Sequence, residues 1–141
     1  DDARRARAEA EADAPFDAPT GDEPLVLDAL LGTGASGAVR PPLDGAVAAI
    51  ASARAGGASV VALDLPSGLD ATTGESHGAV AAHVTLSLGG LKRGQLLRRD
   101  LVGELVALDI GLREAPASVP RVVTGTWARS CLAPLPADAY K

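Results

Sequence analysis

Apolar residues in this chain come in short continuous runs, each closed by glycine, proline or a carboxylate. Leu25-Val26-Leu27-Asp28-Ala29-Leu30-Leu31 is one run, interrupted by a single acidic side chain, and Ser59 to Leu63 is a second. His83 to Leu88 reads as a third strand, Leu105-Val106-Ala107-Leu108 as a fourth and Arg121-Val122-Val123-Thr124 as a short fifth. Short apolar runs bounded by turn formers mark strands buried on both faces, as in parallel sheets. A different period separates the first two. Leu43, Val47 and Ile50 recur at helical spacing, Asp44 stands where a cap is needed, and Gly56-Gly57 follows, so a helix is expected from about Gly45 to Arg54. Strand, glycine turn, helix and strand make one βαβ unit, whose crossover is right-handed and whose strands are parallel. The fold class is therefore α/β.

The connecting segments are less regular. Asp1 to Asp13 is rich in Ala, Arg and Glu and reads as an exposed or frayed helix; Ala14 to Glu23 reads as a loop. Pro41-Pro42 is expected to hold an extended stretch. Leu69 to Gly78 reads as a polar loop, Ala79 to Ala82 as one helical turn or a strand approach, and Pro134 to Lys141 as a linker. Residues 1–133 are thus expected to form the domain and 134–141 the linker.

Composition narrows the function classes. At 141 residues the chain is one domain's worth, enough to bury a core; 47% of its residues are apolar, and Phe16, Trp127 and Tyr140 are the only aromatics. A core so poor in rings must be aliphatic, and base stacking on exposed aromatics is excluded. The formal net charge is −5 and Lys92 and Lys141 are the only lysines, so no basic stripe exists to bind nucleic acid. No apolar run approaches the roughly 20 residues of a membrane span, and no signal-peptide pattern is visible. Cys131 is the only cysteine, which rules out an intramolecular disulfide and fits a cytoplasmic setting. The chain has no Met and starts at Asp1, which points to a piece of something longer.

Candidate chemistry gathers at strand ends. Gly32-Thr33-Gly34-Ala35-Ser36-Gly37 matches G-x-G-x-x-G after a strand. In a dinucleotide-binding turn the helix begins inside that pattern, and here Pro41-Pro42 comes too soon. The loop can still cradle phosphate through its own amides, or it can be a tight connection that needs glycine dihedrals. Asp28, inside an apolar strand, must be paired, hydrogen-bonded or bound to a cation; it either caps the following turn or ligates. Asp64 ends its strand and Ser67 follows in a Pro-Ser-Gly turn. They serve either as turn formers or as a general acid/base and a ligand for a hard cation. Lys92 either meets a phosphate or is merely exposed. His77 and His83 lack zinc-ligand spacing, and Ser36 and Ser67 lack a nucleophile elbow.

Taken in order, Asp28-x-x-x-Gly32-Thr33-Gly34-x-x-Gly37-x-Val39-Arg40-x-Pro42 and Asp64-Leu65-Pro66-Ser67-Gly68-Leu69-Asp70 with Thr73-Gly74 resemble the NAD(P)H-hydrate epimerase family. Thr85-Leu86-x-x-Gly89-x-x-Lys92-x-Gly94 and Gly103-x-Leu105-x-x-x-Asp109-Ile110-Gly111 follow its pattern too, so the resemblance runs from about Leu25 to Leu112. It implies a three-layer α/β/α sandwich with a Rossmann-like sheet, only part of which is encoded here. It also implies interconversion of the C6 epimers of hydrated NADH and NADPH, and a potassium ion as cofactor. On this resemblance Asp28 and Ser67 are potassium ligands, Ser67 through its backbone carbonyl. Gly32, Thr33, Gly34, Ala35, Ser36, Gly37 and Ala38 contact substrate, and Asp64 contacts the nicotinamide part as the acid/base. The family's Asn-Asn-Gly-Gly-Asp loop has no counterpart here, so the chain resembles the C-terminal half of the epimerase domain and is expected to be inactive alone. Leu135 to Lys141 resembles the junction to a nucleotide-dependent hydrate dehydratase. The resemblance allows a homo-oligomer and such a covalently linked domain. The alternatives are a non-catalytic protein- or nucleotide-binding module of the same fold and, behind it, a Rossmann oxidoreductase.

Overall fold

The computed structural model describes residues 23–112, 116 and 118–132. The helix expected over 1–13, most of the loop over 14–23 and the linker over 134–141 lie outside these. The chain divides into two compact units, 1–111 and 112–141.

In the first unit, β1 (Leu25–Asp28), β2 (Ser59–Leu63), β3 (Val84–Leu88) and β4 (Glu104–Leu108) form one sheet in the order β1-β2-β3-β4. Every neighbouring pair is parallel, as expected for an α/β fold. Helix α1 (Leu43–Ala55) crosses from β1 to β2, and two short helices, α2 (Arg93–Leu97) and α3 (Arg99–Val102), cross from β3 to β4. The connection from β2 to β3 has no helix; Ala79 to Ala82 forms no helical turn, and the Ala82 amide donates to the Leu101 carbonyl at 2.8 Å.

One sheet face forms the core. Val26, Val60 and Ala62 pack with Val47, Ile50 and Ala53 of α1. Each buried Val or Ile side chain here stabilises the fold by about 1.5–3 kcal/mol relative to exposure. A second cluster of Leu65, Leu69 and Val102 fastens the segment after β2 to α3. Gly94 sits so close to that segment that a Cβ would stand 2.1 Å from the Asp70 carbonyl oxygen, so only glycine lets α2 dock there.

Several expectations are corrected. The first apolar run is a strand only as far as Asp28, and Leu25 and Leu27 are each 58% exposed. As an edge strand of the described sheet, β1 buries alternate residues. It ends because the Leu31 amide donates to the Ser67 hydroxyl at 3.0 Å instead of to a strand. Pro41 and Pro42 form a turn, not an extended stretch, with Pro42 in the helical region at the N-cap of α1. Asp44 therefore falls in the first turn, where its carboxylate accepts from the Gly45 amide at 2.8 Å and favours the positive end of the helix dipole.

In the second unit the described residues form α4 (Gly125–Cys131), capped by the Thr124 hydroxyl, which accepts from the Trp127 amide at 3.1 Å. Arg121 to Thr124 is not the expected fifth strand. Val122 and Val123 are 47% and 65% exposed and pair with no described strand, and Thr124 serves as a helix cap instead.

Candidate functional site

Because the strands are parallel, the segments leaving their carboxyl ends share one edge of the sheet, where ligands of open α/β folds bind. The β1–α1 loop, the β2–β3 connection and the β3–α2 turn meet there, and they bring Asp28, Gly32 to Ala38, Asp64, Ser67 and Lys92 to that edge.

Asp28 is 1% exposed, and its negative charge is met by Ser67, which is equally buried. The Ser67 amide donates to Asp28 Oδ2 at 2.7 Å, and the Ser67 hydroxyl donates to Oδ1. The same hydroxyl accepts from the Leu31 amide, so one carboxylate–serine pair ties together the exits of β1 and β2. Asp28 thus caps a turn, though not the one that follows it; it caps the turn after β2.

Asp64 is held quite differently. It is the only described non-glycine residue with positive φ, at 70°. That left-handed backbone costs an L-residue about 1–3 kcal/mol unless its surroundings enforce it. Here the Asp64 amide donates to the Leu86 carbonyl at 2.8 Å, and its carbonyl accepts from Gln95 Nε2 at 2.6 Å. Its Oδ1 accepts from the Leu88 amide at 3.1 Å and from the Lys92 ammonium. Lys92 also donates to the Leu88 carbonyl at 2.8 Å and to Ser87 Oγ at 3.2 Å. The expectation that Lys92 meets a phosphate or stands exposed is therefore replaced: it is ion-paired with Asp64, both side chains being 16% exposed. Asp64 Oδ2 has no hydrogen-bond partner among the described residues. It faces the glycine loop, 3.6 Å from where a Cβ on Gly32 would lie.

The glycine loop is exposed along most of its length. Within it the Ala35 amide donates to the Gly32 carbonyl at 3.1 Å, while the amides of Thr33, Gly34, Ser36, Gly37 and Ala38 donate to no described residue. They are available to an anionic ligand. Helix α1 starts only at Leu43, so its N-terminus does not lie inside the glycine pattern. An open groove of about 400 Å³ runs along Leu31 and 34–43, within the usual range for small-molecule sites. A cleft of about 10 Å³, room for one water, lies between this loop and Gly68, Leu69, Asp70 and His77. Neither concavity includes Asp64, so the loop and the carboxylate meet at a shared edge rather than inside one pocket.

Comparison with known proteins places this geometry. The family model described as YjeF-related protein N-terminus matches residues 3–94. The chain belongs to that family. The match takes in Asp28, the glycine loop, Asp64, Ser67 and Lys92. The chain is 44% identical over 99 residues to the bifunctional NAD(P)H-hydrate repair enzyme Nnr of Hyperthermus butylicus, covering 70% of this chain and 18% of that protein. To the NAD(P)H-hydrate epimerase of Elusimicrobium minutum it is 38% identical over 92 residues, covering 64% of this chain and 40% of that protein. A repair enzyme of the same name from Mycobacterium leprae is 44% identical over 89 residues, 62% of this chain and 18% of its own. The chain therefore spans less than half the length of these curated relatives.

Gln95 and the pairing of Lys92 with Asp64 were not read from the sequence. The available signal was a lysine soon after the end of β3 and a glutamine at the next turn, both on the carboxyl edge. No described helix is long and apolar enough to cross a membrane.

Proposed function

We propose that this chain carries one side of the active site of an NAD(P)H-hydrate epimerase, an isomerase acting on the C6 epimers of hydrated NADH and NADPH. The family match and the relatives' names support the reaction class. The observation that carries the residue assignment is Asp64: a left-handed, part-buried carboxylate with one oxygen engaged and the other turned to an amide-rich loop. Epimerisation breaks one bond at C6 and re-forms it on the other face. Asp64 takes the C6 hydroxyl proton as the C6–N1 bond opens and N1 is protonated. It returns a proton to that oxygen as N1 loses its own and closes on the opposite face, so atoms, protons and electrons balance. The open amides of the Gly32–Ala38 loop, those of Thr33, Gly34, Ser36, Gly37 and Ala38, bind the pyrophosphate of the cofactor as a backbone nest.

A potassium ion would be held by the Asp28 carboxylate and the Ser67 backbone carbonyl. Their chemistry fits a hard cation: all donors are oxygen, and each Asp28 oxygen keeps a lone pair after accepting from Ser67. When bound, the ion supplies positive charge beside an anionic substrate. The names of the bifunctional relatives support a second, linked repair activity. We assign it to the dehydratase implied by the resemblance at Leu135 to Lys141.

The test is Asp64→Asn in the full natural protein, with epimer exchange followed by NMR. Loss of a general acid/base lowers the rate by about 10²–10⁴-fold. An unchanged rate removes Asp64 from this role.

A further inference from the structure

Four bonds converge on Asp64, and they come from β3, the turn that follows it and α2. Leu86 takes its amide, Leu88 and Lys92 hold Oδ1, and Gln95 holds its carbonyl. Gln95 is fully buried, and its Oε1 accepts from the Lys92 amide at 2.7 Å, with Ser87 Oγ 3.1 Å away, its one hydrogen closer to the Gly90 carbonyl at 2.7 Å. Lys92 and Gln95 are therefore joined to each other as well as to Asp64. A buried amide whose oxygen and nitrogen are both engaged is held in place, because an alternative rotamer would strand those polar atoms. An ammonium has three N–H donors, and those of Lys92 are matched by Asp64 Oδ1, the Leu88 carbonyl and Ser87 Oγ. None is left for a substrate phosphate. The cluster acts on Asp64, not on the ligand.

We propose that Lys92 and Gln95 are positioning residues for the epimerisation. Gln95 enforces the left-handed backbone of Asp64, and Lys92 occupies Oδ1, so that Oδ2 beside Gly32 is the oxygen that exchanges the proton. The proposal rests on the acid/base reading of Asp64 above. It assigns roles by geometry: a carboxylate with both oxygens loose can swing away from the loop, and misplacement of a reacting group by about 1 Å costs on the order of 10²-fold in rate.

The experiment compares Lys92→Met, Lys92→Arg and Asp64→Asn in the full natural protein, measuring kcat and KM for epimer exchange and thermal unfolding. Lys92→Met is expected to lower kcat by about 10–100-fold with KM within about twofold, the pattern of a lost transition-state arrangement rather than lost ground-state binding. A kcat within threefold of the parent overturns the proposal. So does a raised KM at unchanged kcat, which would make Lys92 a substrate contact. Should Lys92→Met not fold, Lys92→Arg keeps the charge and decides. A planar guanidinium cannot place donors on the same three acceptors, so a fall in kcat of about fivefold or more is expected, and an unchanged kcat overturns the proposal. Asp64→Asn separates the two levels. If it retains full rate, the acid/base reading fails and positioning fails with it. If it loses the rate while the Lys92 variants keep theirs, only the positioning proposal fails.

Discussion

Two carboxylates end neighbouring strands of this sheet, and they are treated in opposite ways. Asp28 is sealed, with both oxygens accepting from one serine and no strain in its backbone. Asp64 keeps some exposure, adopts a dihedral that L-residues avoid, and has one oxygen engaged and one turned to the loop. The buried charge of Asp28, with one Ser67 donor on each oxygen, ties the two turns together and has only its remaining lone pairs to offer a cation. A part-matched charge on a strained backbone has been placed at a cost that folding alone does not require. The same residue type at the same kind of position thus does two jobs, and the hydrogen-bond inventory separates them.

Substitutions should split along that line. The largest effect is expected at Asp64. Asn is nearly isosteric, tolerates positive φ and can still accept from the Leu88 amide and Lys92, so Asp64→Asn should cost less stability than Asp28→Ala while the rate falls by about 10²–10⁴-fold. A protein that lost stability and activity together would undo the distinction. Asp28→Ala should do the reverse first: it strands the Ser67 amide and hydroxyl in the interior and should cost about 3 kcal/mol, read from denaturant midpoints. A change below about 1 kcal/mol would mean that the Asp28–Ser67 pair does not hold the two turns. Ser67→Ala should fall between, at about 1–2 kcal/mol, because the amide bond to Asp28 Oδ2 survives while the hydroxyl's links to Asp28 and Leu31 are lost.

The sequence made the sheet legible and left its polar wiring hidden, for physical reasons. β2 spans Ser59–Leu63 as read, because a β-branched run closed by polar residues has few other conformations to adopt. α1 was found by its period and its closing glycines. The first strand was read too long because Leu30 and Leu31 continue the apolar run. What stops it is a hydrogen bond to Ser67, distant in sequence, which no local pattern encodes. α2 and α3 were missed because helices of five and four residues have no intrinsic stability; they exist where Gly94 docks on the Asp70 segment and Gln95 is buried. At the site, the strand-end place of Asp64 and the need of buried Asp28 for a partner followed from residue type and position; that the partner is Ser67, distant in sequence, did not. The Lys92 contact did not, since it depends on the parallel register that sets β3 beside β2.

The smallest predicted effect concerns a third acidic residue on the same edge, and it tests whether exposure, rather than residue type, sets the outcome. Asp70 is half-buried, and the backbone amides of Thr73 and Thr72 donate to its Oδ1 at 2.7 and 2.8 Å. Those bonds, Thr73 first, hold its carboxyl below the ordinary value of 3.8. Since the folded form binds the proton less readily than the unfolded form, the turn is supported above about pH 4, and that support fades as pH falls through the lowered value. The Thr72 and Thr73 amide resonances should therefore move together on acidification, starting below pH 4, while global unfolding midpoints change little over the same interval. Asp70→Asn should flatten that titration, because an amide side chain can still accept from the backbone but has no proton to gain. If the threonine amides did not move on acidification, Asp70 would not be what holds the segment that Gly94 docks against.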